Sequence, residues 1–428
     1  MATVLAQRGW QAAAGVVTLA LVAHYLTPVE QGYFYTLASI AALYMALDMG
    51  LSAALVQLSA REFVGLAWGQ AGDVKGAAPS RFLALVRLSL RWYSGAAVVF
   101  LLAYPAGIAF IGDGNGGLRY DWRGAWAILV CATAAGLVSL PALALVEGSG
   151  NVTEAYAVRL VQGLIGALAA WTVLVLGGGL YAVAMAPVAS AVVAGGWILS
   201  RRRRMVAQAF RQQPGGLRWR AEVWPLQWRI AASWLAGYVL VLMHAPLLFR
   251  TQGPTVAGQM GLTMTVANTL GLLALAWISA RIPAMARAAS RKDWMSLDRM
   301  YWRAFANSAS AFIAGAVLFM LIRVALERTA YDGRFLSVAE TAGLLVAAGF
   351  YHASAMFAAY LRTHSREPFL WPSLIGAGVT AAAVIYAAPR WSSAGIVVVL
   401  VALNALFFFP VSLWLWAHLR REWHRTSS

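Results

Sequence analysis

About twelve apolar runs, each near the ~20 residues that a helix needs to cross hydrocarbon, follow one another along the chain with short polar breaks between them. They fall at 8–27, 33–60, 81–111, 124–147, 155–177, 180–199, 228–249, 257–280, 304–326, 336–360, 368–388 and 393–416. Inside a bilayer every backbone N–H and C=O has to be satisfied within its own segment, so this spacing predicts an all-α integral membrane protein. Composition agrees: 61% of the 428 residues are hydrophobic and 11% are charged, too little polar surface to coat a water-soluble globule.

A formal charge of +17 would suggest a nucleic-acid partner if the basic residues formed one patch. They do not. With the N-terminus inside, they collect in alternate loops: Arg61 to Arg91, Arg159, the run Arg201 to Arg204 with Arg211, Arg218, Arg220 and Arg229, then Arg281 to Arg303, and Arg362 with Arg366. Outside remain Arg119, Arg123, Arg250, Arg323, Arg328, Arg334 and Arg390. This asymmetry predicts that both termini are cytoplasmic and that the charge reflects topology, with no nucleic-acid partner. Cys131 is the only cysteine, so neither a disulfide framework nor a cysteine metal site is available. The first apolar run passes straight into HYLTPVEQG without a small-residue cleavage site, and reads as a retained helix, not a signal peptide.

The stretch from Trp224 to Arg303 repeats the layout of the first hundred residues. An apolar segment opening at an Arg (Arg8, Arg229) carries a His near its far end (His24, His244). It meets a Pro/Gly link (Pro28 and Gly32; Pro254 and Gly258) and a second apolar segment, and a basic connector follows. Six segments per half is an even number, so both halves enter the membrane in the same direction, as parallel repeats of the kind found in many transporters. The expected organisation is a six-helix bundle over 1–199, a basic cytoplasmic linker over 200–225 and a second six-helix bundle over 226–428. The connectors APSRFLALVRLSLRW and KDWMSLDRMYWR mix basic, apolar and aromatic residues at helical spacing, which suits helices at the inner interface.

Asp48 lies within the second apolar run, in YMALDMGLSAALVQ, where a charge costs roughly 2.5 to 3.5 kcal/mol on insertion scales. It is either an ion-coupling site or a hydrogen-bonded group that holds helices together. Arg8, Arg159 and Arg229 stand near inner helix ends, either snorkelling to headgroups or gripping an anionic headgroup through paired, charge-assisted hydrogen bonds. The polar cluster from Gln259 to Asn268, with Thr263 and Thr265, marks a polar cavity wall or ordinary helix pairing. GDGNGG after the third run lacks the GK[ST] of a phosphate loop and the carboxylates of a calcium loop. The six histidines show no metal spacing, and no catalytic constellation stands out. No metal, cofactor or enzymatic activity is expected.

The segments LTPVEQGYFYTLASIAALYMALDMGL, WPLQWRIAASWLAGY, GPTVAGQMGLTMTVAN and AWISARIPAMARAASRKDWMSLDR resemble bacterial polysaccharide-export membrane proteins of the O-antigen flippase type. These belong to a superfamily shared with the multidrug and toxic-compound extrusion (MATE) transporters and the flippase of the peptidoglycan lipid precursor. The resemblance implies twelve helices in two six-helix bundles around a cavity opening alternately to either side. It also implies flipping of a polyprenyl-pyrophosphate-linked oligosaccharide across a bacterial inner membrane. Arg8, Arg159, Arg229, Gln259 and Asn268 are then the candidate substrate residues and Asp48 the candidate for ion coupling. The expected partners are lipid-linked oligosaccharide and membrane lipids, with polysaccharide polymerase and chain-length proteins as further candidates. An exporter of small cations is the alternative, and would need more buried carboxylates. A polymerase or ligase would need a large outer loop that this chain lacks, and a scaffold of polysaccharide assembly is the remaining rival.

Overall fold

A computed structural model describes residues 2–70, 72–76, 78–112, 122–211, 216–364 and 368–425, apart from a few side chains within helices. The GDGNGG stretch falls almost wholly outside the described residues. The chain forms two compact units, Met1–Leu235 and Ala236–Ser428. Among the described residues, nine helical stretches are long and apolar enough to cross a membrane, or ten if a pair bent by 43° at residues 242–243 counts as one span.

The first unit runs through α1 (Ala2–Tyr25), α2 (Pro28–Ala41), α3 (Tyr44–Asp48) and α4 (Leu51–Glu62), then the hairpin β1 (Leu66–Trp68) and β2 (Val74–Gly76). It continues with α5 (Ser80–Leu101), α6 (Ala103–Ile111), α7 (Trp122–Gly148), α8 (Val152–Val175), α9 (Ala182–Trp197), α10 (Arg203–Arg211) and the start of α11 (Trp224–Val241). Part of the predicted linker is thus helix: a π-helical turn over Ile198–Arg202 carries α9 into α10. The hairpin was not foreseen. Trp68, opposite Val74 in its register, stacks on Phe63 at 4.9 Å and donates to Ser149 Oγ at 3.0 Å, while the Val74 amide donates to Gln208 Oε1 at 2.8 Å. These bonds fasten the hairpin to the end of α7 and to α10. Arg202, almost fully buried, lies over the Trp68 ring at 4.1 Å and pairs with Glu154, which also accepts from Trp197 Nε1 at 2.9 Å.

The second unit holds the rest of α11, then α12 (His244–Gln252), α13 (Pro254–Ser279), α14 (Ile282–Ser290), α15 (Trp294–Leu326), α16 (Val338–Arg362), α17 (Leu370–Leu403) and α18 (Phe409–Arg425). In α17, Trp391 and Ser392 leave helical geometry just after Pro389, so two predicted runs are one helix with a sharp break. The carbonyl freed at Ala388 accepts from Gln252 Nε2 at 3.0 Å, and Ser393 donates to Glu340 at 2.6 Å. Both predicted connectors turn out to be the opening turns of spanning helices, α5 and α15, and form no separate interfacial helices.

The repeated Pro/Gly link makes the same local start twice. Pro28 begins α2 after Thr27, whose Oγ1 accepts from the Glu30 amide at 3.2 Å while the Thr27 amide donates back to Glu30 at 2.8 Å. Pro254 begins α13 after Gly253. In both cases proline occupies a position whose N–H has no partner within the helix. α7 and α16 are the most deeply buried spans of their units. Packing in a bilayer rests on close approach, not on water exclusion, and small residues supply it. On α8, a Cβ added to Gly166 would stand 3.0 Å from the Ala186 Cα of α9.

Candidate functional site

Asp48 closes a local knot in the first unit. The predicted single run over 33–60 breaks at Met49 and Gly50, both left-handed (φ 46° and 65°), so that α4 restarts at Leu51 with unpaired amides at its head. Asp48, 1% exposed, turns back over that end and accepts from the Ser52 amide at 3.4 Å and from Ser52 Oγ at 3.0 Å. The hydroxyl of Tyr93 on α5, itself fully buried, donates to the same carboxylate, and Trp92 Nε1 covers the Leu47 carbonyl at 3.2 Å. Among the described residues no basic side chain forms an ion pair with Asp48. The carboxylate therefore acts as a helix cap joined across to α5. Asp48→Asn keeps an acceptor for Ser52 and a polar group for Tyr93, so it is expected to lower the unfolding midpoint by much less than Asp48→Ala. Removing the acceptor altogether strands the buried Tyr93 hydroxyl at a cost of about 1–3 kcal/mol. Thermal unfolding of the purified variants checks this; equal losses would mean that the charge itself carries the role.

The candidate basic residues have separate surroundings. Arg159 pairs with Glu147 at 2.6 Å and lies over Tyr156 at 5.0 Å, joining the end of α7 to the start of α8. Arg229 is exposed beside the Trp228 ring at 5.7 Å. The side chain of Arg8 lies outside the described residues. In the second unit, buried Arg323 donates to the Leu336 carbonyl at 2.8 Å and pairs with Asp332 at 2.9 Å, holding the turn between α15 and α16.

Gln259 and Thr263 hold the same turn: Gln259 Nε2 donates to the Gly333 carbonyl at 3.1 Å, and Thr263 Oγ1 accepts from the Leu336 amide at 3.2 Å. Thr265 donates to its own helix, to Gly261 at 2.6 Å. Asn268, three residues on, lines a cavity of about 270 Å³ in the second unit, whose walls come from α11, α13, α16, α17 and the π-helical turn that follows α17 at Asn404. Its other polar side chains are Tyr351, His352 and Asn404. Spacing along the sequence does not bring His352 and Asn404 together, because 52 positions separate them and only the helix packing places both in one cavity lining. Among the described residues no carboxylate and no cation lines this cavity. Beside it, an apolar groove of about 690 Å³ runs between α15 and α16, with Phe409 at its edge and His352 on both walls. No group of three or more His, Cys, Asp or Glu suited to a metal occurs among the described residues.

The class is thus a multi-spanning helical membrane protein of two units, with polar side chains sparingly buried among apolar helices. Its fold is that of the MATE transporters. The chain is similar to an inward-facing multidrug-resistance MATE family transporter of the MOP superfamily, with a TM-score of 0.63 and 15% identity, covering 97% of this chain and 96% of that one. It is similar to the MATE multidrug transporter DinF-BH, with a TM-score of 0.60, 15% identity and coverage of 97% and 93%. It also matches the eukaryotic MATE transporter AtDTX14, with a TM-score of 0.57, 12% identity and coverage of 100% and 97%. No family model and no curated protein matches the sequence.

Proposed function

We propose that this chain flips a polyprenyl-pyrophosphate-linked oligosaccharide across a bacterial inner membrane by alternating access, crossing the membrane twelve times with both termini in the cytoplasm. α1 supplies an eleventh crossing, and the break in α17, which divides the already counted stretch from Leu370 to His424 in two, supplies the twelfth. One observation carries the choice of substrate: the only buried carboxylate among the described residues, that of Asp48, is filled by hydrogen bonds from Ser52 and Tyr93. A cationic drug would need a carboxylate left free to receive it, since a buried charge is costly unless paired. A neutral sugar needs amides, hydroxyls and rings, and Asn268, Asn404 and Tyr351 provide them at the cavity. Exposed Arg229 offers a guanidinium to a pyrophosphate, and the groove between α15 and α16 has the apolar lining that an isoprenoid tail needs. Arg159 contributes by joining α7 to α8, and Gln259 by holding the turn at Gly333. Polysaccharide polymerase and chain-length proteins would act on the product.

The likeness to multidrug transporters favours export of small cations as the second reading. Proteoliposomes decide between them. Purified protein is expected to move a fluorescent oligosaccharide on a short polyprenyl pyrophosphate out of reach of an external glycosidase, with Arg229→Ala slowing it several-fold. Movement of a cationic dye without movement of the glycolipid would overturn the proposal.

A further inference from the structure

His352, a lining residue of both cavities in the second unit, is held so that one ring nitrogen is committed and the other is buried without a partner among the described residues. Its Nε2 lies 3.0 Å from Ser308 Oγ, and that hydroxyl donates its single proton to the Ala274 carbonyl at 2.7 Å. Ser308 Oγ can then only accept, so Nε2 of His352 carries a proton and donates it. In the neutral ring Nδ1 is an acceptor. His352 is 3% exposed, and among the described residues its Nδ1 meets no partner. The ring plane is fixed by stacking on Phe312, at 5.1 Å between centroids and 14° between planes.

A second orphan belongs to another residue that lines the smaller cavity. Asn404, 7% exposed, donates an Nδ2 proton to the Leu400 carbonyl at 2.8 Å, while among the described residues its Oδ1 meets no partner. Its carboxamide stands at the first residue of the π-helical turn Asn404–Phe408, in the wall of the 270 Å³ cavity that His352 also lines. Two buried acceptors on residues of one cavity lining are each costly to leave unmet, and neither can satisfy the other while both are acceptors. A proton on Nδ1 changes that, since the ring then offers a donor where Asn404 Oδ1 offers an acceptor.

We propose that His352, with Asn404, is a proton-binding site inside the second unit: a proton from solvent takes the Nδ1 lone pair while the Nε2–H bond to Ser308 stays in place. The elements packed around the ring present Asn268 from α13, Ser308 and Phe312 from α15, Tyr351 from α16, Asn404 at the end of α17, and Phe409 from α18. Among the described residues no charged side chain lines either cavity, so no neighbouring carboxylate competes for the proton and no guanidinium repels it. The site shares Asn404 and its cavity with the proposed sugar contacts, but the titration that tests it needs no solute, and it lies apart from Asp48, whose oxygens are already filled.

Nitrogen-15 NMR of the full chain in lipid nanodiscs, with labelled histidine, tests it between about pH 4 and pH 8, the range in which an imidazole titrates. Single His→Gln substitutions assign the six rings. Should His352→Gln fail to fold, the other five assign His352 by elimination. The expected result is that Nε2 of His352 stays protonated throughout while Nδ1 passes from lone pair to N–H in one single-proton step. Asn404→Leu, which removes the acceptor, is expected to move the midpoint of that step. A Nδ1 that never titrates in this range, a proton found on Nδ1 with Nε2 bare, or a midpoint unmoved by Asn404→Leu would overturn the proposal.

Discussion

Glu154→Ala is expected to lower the stability of the purified protein by about 3 kcal/mol, among the largest losses available to a single exposed-to-half-buried carboxylate. The cause lies in its partner. The Arg202 side chain is 5% exposed, sandwiched near Trp68 and Trp197, and Glu154 is the carboxylate that pairs with it. Without Glu154 the guanidinium stays buried with nothing to neutralise it, and Trp197 Nε1 loses its acceptor as well. Because Glu154 itself is 29% exposed, water reaching the gap holds the loss toward the low end of the range for buried pairs. The double variant Glu154→Ala with Arg202→Met removes the charge together with its partner and is expected to recover most of the loss. Thermal unfolding in detergent measures both. A double variant as unstable as the single would show that packing of the hairpin, not the stranded charge, sets the cost.

Gly50→Val is expected to prevent accumulation of folded protein. Two independent costs meet at this position. The backbone is left-handed, with φ 65°, which a β-branched residue adopts only under strain of about 1–3 kcal/mol. A Cβ there would also stand 2.5 Å from the Ile230 Cβ of α11, closer than packed side chains allow, so α11 would have to move away. Met49, the other left-handed residue of the break, gives the control: Met49→Gly relieves strain and is expected to leave the unfolding midpoint unchanged or raise it. Yield of monodisperse protein after extraction reads the first effect, and the unfolding midpoint reads the second. Normal yield from Gly50→Val would mean that the break at residues 49–50 is not fixed by this contact.

The fold class was legible because a bilayer leaves few solutions. Apolar runs of spanning length and alternating basic loops lead to an all-helical membrane protein, and the paired Pro/Gly links proved to be paired helix starts at Pro28 and Pro254. What stayed hidden depends on long-range contact or on local geometry within uniform apolar sequence. The hairpin over 66–76 has strands of three residues, too short for periodicity to register, and its anchor Gln208 lies 134 positions from Val74. The break at Met49–Gly50 sits inside an unbroken apolar run, and only the structure shows Asp48 bending back to cap the helix beyond it. The sequence pattern placed Gln259 and Asn268 in one cluster. The structure separates them, since Gln259 reaches a carbonyl 74 positions away while Asn268 lines a cavity whose other polar groups, His352 and Asn404, come from α16 and the end of α17. Spacing along one helix cannot reveal which of its polar residues meets a loop and which meets a cavity.

The flipping reading is tested most directly by deleting the gene and following two quantities together, surface polysaccharide and the lipid-linked oligosaccharide of extracted membranes. The account predicts loss of surface polysaccharide with build-up of the lipid-linked precursor on the cytoplasmic face, reversed by the wild-type chain. Unchanged polysaccharide with increased sensitivity to cationic drugs would contradict it.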